Sequence, residues 1–254
     1  MSQYNFGAGF LYVTPPLEDG ETIATPVMLG TLQECSIEFT GNIKELFGSN
    51  QFAEAVARGT QKITGKAKFA KINANTYNKI YFNEKIELGG LFAYHNEEIK
   101  TSASSEFTPI NVKTGFIWKE DLGLISKATG EPMTRTTLSS PTGDLYKIDE
   151  ATGLYKLSNA NAEKDFYVSY MVESTGTAGK VMEIGNKAMG SAKTFRTIFN
   201  GRFNDKQITL ILNACMSSKL GMLGTKTEDF SIADFEFSAM VDDYGVVGTL
   251  STLE

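Results

Sequence analysis

Hydrophobic and polar positions alternate with a period of two along several stretches of this chain, and those stretches outline a β-rich fold. Between Thr31 and Thr40, Cys35, Ile37 and Phe39 share one face while Glu34, Ser36 and Glu38 share the other, the pattern of a half-buried strand. Lys62 to Lys71 repeats it, with Ile63, Gly65, Ala67 and Phe69 on one side and Lys62, Thr64, Lys66 and Lys68 on the other. Phe195, Phe199 and Phe203 mark one face of a strand that bulges or turns near Gly201, and Ile208, Leu210 and Leu212 mark the next. From Ser231 to Val241, Ala233, Phe235, Phe237, Ala239 and Val241 point inward, with Asp234, Glu236, Ser238 and Asp242 outward. These strands are long, polar on one face and not obviously blocked by proline, so their edges need a partner. Assembly through sheet edges supplies one.

Two stretches have helical spacing instead. Phe52, Ala55 and Val56 fall at helical intervals, and Gly59 is placed to close a helix at C′. In Asn73–Phe82, Asn73 is placed as an N-cap and Tyr77, Ile80 and Tyr81 share a face. Ile86 to Tyr94 reads as a short strand or loop. Residues 1–26 form a leader rich in turn signals (Pro15-Pro16, Asp19-Gly20, Pro26), with Phe10 and Tyr12 as its anchoring aromatics. Such a leader frays or docks on a neighbouring subunit, so deleting residues 1–20 is expected to weaken polymerisation more than folding.

Turn signals crowd the chain from Thr101 to Gly179, at Ala128-Thr129-Gly130, Pro141-Thr142-Gly143, Ala151-Thr152-Gly153 and Ser174 to Gly179. Leu145–Ile148 and Leu154–Leu157 are near copies flanking a Gly-containing loop, the arms of a β-hairpin. Phe166, Val168, Tyr170 and Val172 then share a face. The expected organisation is a leader over 1–26, a β core over 27–100 and 180–254, and a small all-β insertion over 101–179.

Composition sharpens this picture. A chain of 254 residues buries one substantial core, or one core plus a small appended domain. Its 41% hydrophobic and 21% charged residues exclude a largely disordered chain, and 24 glycines against 6 prolines fit many short strands joined by turns. No apolar run has the length of a membrane-spanning helix. The opening MSQYNFGAGFLYVTPP lacks the basic region of a secretory signal, so synthesis in the cytoplasm is expected. Cys35 and Cys215 lie far apart without a neighbouring His or Cys, and read as buried thiols rather than a disulfide or metal site. The net charge of −6 excludes a general nucleic-acid-gripping surface, while allowing DNA to pass without sticking.

Candidate chemistry is sparse. His95 is the sole histidine and reads as a surface or interface residue. Glu97-Glu98 and Asp242-Asp243 are adjacent carboxylates, which a strand sends to opposite faces, whereas paired acid–base work aims two at one substrate; they read as solvated charges. No nucleophile elbow, zinc-protease, P-loop or dinucleotide motif occurs, and Phe6-Gly7-Ala8-Gly9 does not link a strand to a helix. Trp118 reads as a core or interface anchor. No catalytic residue, cofactor or metal is expected. The sharpest charge feature is the face of Lys62, Lys66 and Lys68: simply solvated, or paired with Glu34 and Glu38 or with Asp234 and Glu236 within or between subunits, with a nucleic-acid grip third because three lysines in an acidic chain make a weak footprint. Exposed pairs of this kind contribute little stability and mainly set register and orientation.

The segments GTLQECSIEF (30–39), KELFGSNQFAEAVARG (44–59) and KITGKAKFAKIN (62–73) resemble the opening half of bacteriophage major tail tube proteins. DLGLISKATGEPMTR (121–135), GLYKLSNANAEKDFYVSY (153–170), ITLILNACMSSKLG (208–221) and the closing residues 229–254 extend the likeness over nearly the whole chain. The resemblance implies a mainly β protein, a tail-tube-type β-sandwich or half-barrel with a flanking α-helix and a small all-β insertion. It further implies six copies closing into a ring, which removes sheet edges as a barrel does, with rings stacking into the virion tail tube that delivers DNA into the host. The implied partners are other copies, other tail proteins, a sheath where one exists, and viral double-stranded DNA in transit; no membrane is involved. Six copies at −6 each carry a formal −36 per ring, which would repel DNA bearing one charge about every 1.7 Å if much of it faced inward. Two alternatives are a different phage structural module (capsid decoration or tail terminator) and a carbohydrate-binding β-sandwich with Trp118, Tyr146 and Tyr155 as platforms.

Overall fold

The computed structural model of the protein describes residues 7–15, 25–71, 73–102, 112–177, 179–222, 224 and 227–253. The turn signals at Pro16, Asp19 and Gly20 lie outside them. Along the chain run β1 (Phe10–Thr14), β2 (Val27–Met28), β3 (Leu32–Phe47), β4 (Ala53–Phe69) and α1 (Ala74–Tyr77), which continues as a π-helical turn over Asn78–Phe82. Then come β5 (Ile86–Leu88), β6 (Leu91–Lys100), β7 (Phe116–Ser126), β8 (Thr134–Arg135), β9 (Leu145–Asp149), β10 (Leu154–Leu157), β11 (Asp165–Ser174) and β12 (Lys180–Met182). The chain closes with β13 (Phe195–Phe203), β14 (Lys206–Leu220), β15 (Ala233–Met240) and β16 (Gly248–Leu253). The protein is thus mainly β with several sheets and one short helix, and it divides into two compact units, Met1–Glu84 with Ile184–Glu254, and Lys85–Glu183.

The first unit is built on one sheet of order β2-β1-β13-β14-β15-β4-β3, with β16 also paired to β14. Period-two patterning puts Ala67, Phe69, Leu212, Phe235 and Phe237 on a single face, where they are buried with Leu11, Val13, Phe195 and Cys215. The helical turn adds Tyr77 and Ile80 to this core, with the Tyr77 ring 6.0 Å from that of Phe69. At Gly65 the Phe237 ring lies where a Cβ would stand, so the sequence needs glycine there. The expected alternation over 233–239 and 63–69 is borne out. Val241, expected inward, is exposed because β15 ends at Met240.

Three expectations for this unit need correction. The leader is not an unstructured arm in its described part: β1 pairs with β13 from Phe10↔Asn200 to Thr14↔Arg196, and Leu11 and Val13 are fully buried. Its anchors are these aliphatics, not Phe10, which is exposed, nor Tyr12, which is only half-buried. Deleting residues 1–20 is therefore expected to remove the buried Leu11 and Val13 and to destabilise folding as well. The helix expected around Phe52 to Gly59 is the start of β4, paired to β3 through Phe47↔Ala53, Glu45↔Val56 and Ile43↔Arg58. A helix that short is marginal, whereas the ladder satisfies the same backbone groups cooperatively along a strand already committed to pairing. The second helix is present but brief: the Asn73 side chain caps it by accepting from Asn75 N–H, and Tyr81 turns outward.

The second unit spans Lys85–Glu183, wider than the expected insertion over 101–179. It begins at Lys85 rather than 101, because β6 pairs with β11 from Glu173↔Leu91 to Asp165↔Lys100. β5 pairs with β12 where the segment departs and returns. The sheet β6-β11-β7 and the sheet β10-β9-β8 share a core of Leu124, Tyr146, Ile148, Tyr155, Leu157, Phe166, Val168, Tyr170 and Val172. The 145–157 hairpin forms as expected, with Leu154↔Asp149 and Leu157↔Tyr146 in register.

Candidate assembly surface

The polar face of the first sheet brings the charged candidates into columns. β4 runs between β3 and β15, so Lys68 stands opposite both Glu34 and Asp234, and Lys66 opposite Ser36 and Glu236. Glu38 faces Thr64 and Lys62 faces Thr40, on the same side of the sheet. Lys68 Nζ donates to Glu34 Oε2 at 2.7 Å, which holds the lysine pKa above its ordinary value. Lys219 on β14 lies 3.8 Å from both Asp234 and Glu236. The face therefore alternates acidic, basic, acidic and basic from β3 to β14. Opposite charges thus meet within one copy at Lys68–Glu34 and around Lys219, and the face is of mixed sign. Of the net −6, the larger share falls on Lys85–Glu183, where fourteen acidic residues stand against ten basic.

The unpartnered surface lies further along the same two strands. The core covers β3 only as far as Ile37, and beyond it the β3–β4 hairpin continues as an arm. From Gly41 to Lys62 every residue except Ala53 is exposed. Phe39, Ile43, Leu46, Phe47, Phe52 and Val56 each keep more than half of their surface in water. A register shift between Gly41 and Ile43 changes the pairing frame as the arm leaves the core. Cross-strand register then places Ile43 with Arg58 and Glu45 with Val56 on one face, Lys44 with Ala57 and Leu46 with Ala55 on the other. Apolar side chains thus emerge on both faces. β3 ends the sheet, so among the described residues its outer edge is unpaired along the whole of Leu32–Phe47.

The other candidates are structural. Tyr146 and Tyr155, stacked with ring centroids 5.9 Å apart, are buried and cannot serve as platforms for a sugar. Their hydroxyls donate to the two oxygens of Asp121 at 2.7 and 2.6 Å, and burial first, then this carboxylate, raises both phenol pKa values. Trp118 packs against the same core, as expected of an anchor. Glu97 and Asp242 are not merely solvated charges. Glu97 accepts from the buried Tyr170 hydroxyl at 2.6 Å, and Asp242 accepts from Val246 N–H, Tyr244 N–H and Asn213 Nδ2, which depresses its pKa. Their partners are distant in sequence or backbone groups, so no local motif reveals them. His95 is exposed. Cys35 and Cys215 are free, half-buried and buried, and burial pushes both thiols up to about 11. Among the described residues no acidic, His or Cys cluster is placed to hold a metal ion, and no helix is long and apolar enough to cross a membrane.

Compared with protein-family models and with curated proteins, the chain matches none of them.

Proposed function

We propose that this is a structural virion protein of the bacteriophage tail-tube type, without catalytic activity, whose copies polymerise into stacked rings of six around a channel for DNA. The observation that carries the reading is the Gly41–Lys62 arm, wet on both faces and apolar on both, beside a strand edge with no partner among the described residues. Covering each large apolar side chain would contribute on the order of 1.5–3 kcal/mol, less the cost of association. A second copy is the partner always present at matching concentration. Because Lys68 pairs with Glu34, and Lys219 with Asp234 and Glu236, within each copy, and exposed pairs contribute little, arm contacts rather than those charges would dominate assembly. The resemblance of residues 30–73 and 208–254 to tail tube subunits supplies the ring, the tube and the DNA. The buried positions of Tyr146 and Tyr155 count against the carbohydrate-binding alternative.

Negative-stain electron microscopy of the purified protein tests the proposal. Six-fold rings that stack into tubes are expected. Small rings that never stack would favour a tail terminator, and monodisperse monomers at every concentration would sink the assembly reading.

A further inference from the structure

We propose that the outer edge of β3 in one copy adds alongside the outer edge of β16 in the next. This rests on the assembly reading above and names the strands at the joint.

β16 occupies an unusual place in the sheet. β14 is flanked on one side by two strands in line, β15 along Ala214–Leu220 and β16 along Gln207–Leu212. Between them the chain turns out over Asp242–Val247, held by the Asp242 carboxylate and by Asn213 N–H donating to the Val247 carbonyl. β4 flanks β15 only as far as Ala239↔Ile63; beyond that point β4 pairs with β3 alone. β16 is therefore bonded to β14 and, among the described residues, to no strand on its other side.

Natural sheets guard free edges with lysine, proline, bulges or very short strands. β2, at the far end of the sheet, is two residues long. β16 carries none of these guards. It reads Gly-Thr-Leu-Ser-Thr-Leu, uncharged and proline-free, in unbroken register from Leu253↔Gln207 to Gly248↔Leu212. Leu250 and Leu253, on opposite faces, stay mostly exposed. Among the described residues β3 is another long open border; it carries Lys44 and three register shifts, but from Glu34 to Gly41 its pairing is unbroken and free of lysine and proline, and it presents Phe39, with Ile43 just beyond, in water. Two different open edges on one sheet, each with an unbroken stretch free of lysine and proline, make a heterologous joint, in which each copy offers one edge and uses the other. Such a joint propagates into a ring or filament, whereas β3 pairing with β3 would stop at a dimer.

The test uses two full-length variants, Leu250→Lys with Leu253→Lys, and Phe39→Lys with Ile43→Lys, compared with the wild type by light scattering. Each alone should remain monomeric, and an equimolar mixture should form dimers that grow no further, since one intact β3 edge then meets one intact β16 edge. Assembly or dimerisation of the β16 variant alone would overturn the proposal, as would a mixture of folded variants that stays monomeric. A second measurement avoids edge variants: a photo-cross-linking residue at Thr252 in otherwise wild-type assemblies should capture peptides from Leu32–Phe47, and capture of another segment would overturn it. A wild type that never assembles removes the assembly reading itself; a wild type that assembles without β16 removes only this joint.

Discussion

The two ends of the β3–β4 hairpin share one continuous pairing and two opposite environments. Near Leu32↔Phe69 the strands lie in the sheet, flanked by β15, with Ala67 and Phe69 buried. Near Phe47↔Ala53 no other described strand flanks them, and Phe47 and Phe52 face water. The pairing is local, but burial depends on strands that arrive from some 170 residues later in the chain. The proximal half holds the subunit together, and the distal half is available to hold subunits to one another.

The largest effect should come from the core end. Phe237→Ala is expected to cost about 3–5 kcal/mol in urea unfolding of the subunit. Phe47→Ser with Phe52→Ser should change that stability little yet abolish tubes in micrographs. Equal destabilisation by both variants would break the comparison.

Thiol chemistry sharpens it next. Cys35, on the proximal part of β3, has its pKa raised by burial from 9.0 to about 11. A cysteine placed on the arm by Ala57→Cys should ionise near the ordinary 9.0, giving about a hundredfold more thiolate at pH 8. Alkylation rates read this directly in a Cys215→Ala background. Because the folded pKa of Cys35 is raised, its contribution to stability is intact below pH 9 and lost as pH climbs through about 11. The arm cysteine should show no such loss.

Glycines give a smaller contrast. Gly65→Ala drives a methyl into the Phe237 ring and should cost about 1–3 kcal/mol. Gly41→Ala, whose nearest neighbour would lie 3.6 Å away, should leave the urea midpoint near that of the wild type. The smallest effect belongs to the charge columns. Lys68→Met should leave that midpoint unchanged within error at low and high salt, because the Lys68–Glu34 pair is solvent-exposed. A marked salt-dependent loss would return those columns to a central role.

Alternation made the core strands readable in advance, since 63–69 and 233–239 each bury one face and wet the other. The arm carried no such record. A strand wet on both faces has no reason to alternate, so Phe52, Ala55 and Val56 passed for a helix turn. β16 was overlooked for the same reason. In the leader, Leu11 and Val13 compete with Phe10 and Tyr12 for the inward face, and only the register against β13 selects the aliphatic pair. The seven charged candidates were legible as faces. That β4 interleaves its lysines between two acidic strands depends on strand order, which no local pattern encodes.

The sequence by itself determined the alternating strands at 63–69, 166–172 and 233–239, the Tyr146–Tyr155 hairpin and the lack of a recognised catalytic motif, because each of these is written in short-range period or residue type. Tertiary structure alone decided where the core stops along β3, which edges remain open and which carboxylates hold buried phenols. Those outcomes depend on which distant strands pair side by side, and the lack of a neighbour among the described residues, at the arm and at β16, is what the proposed assembly would use.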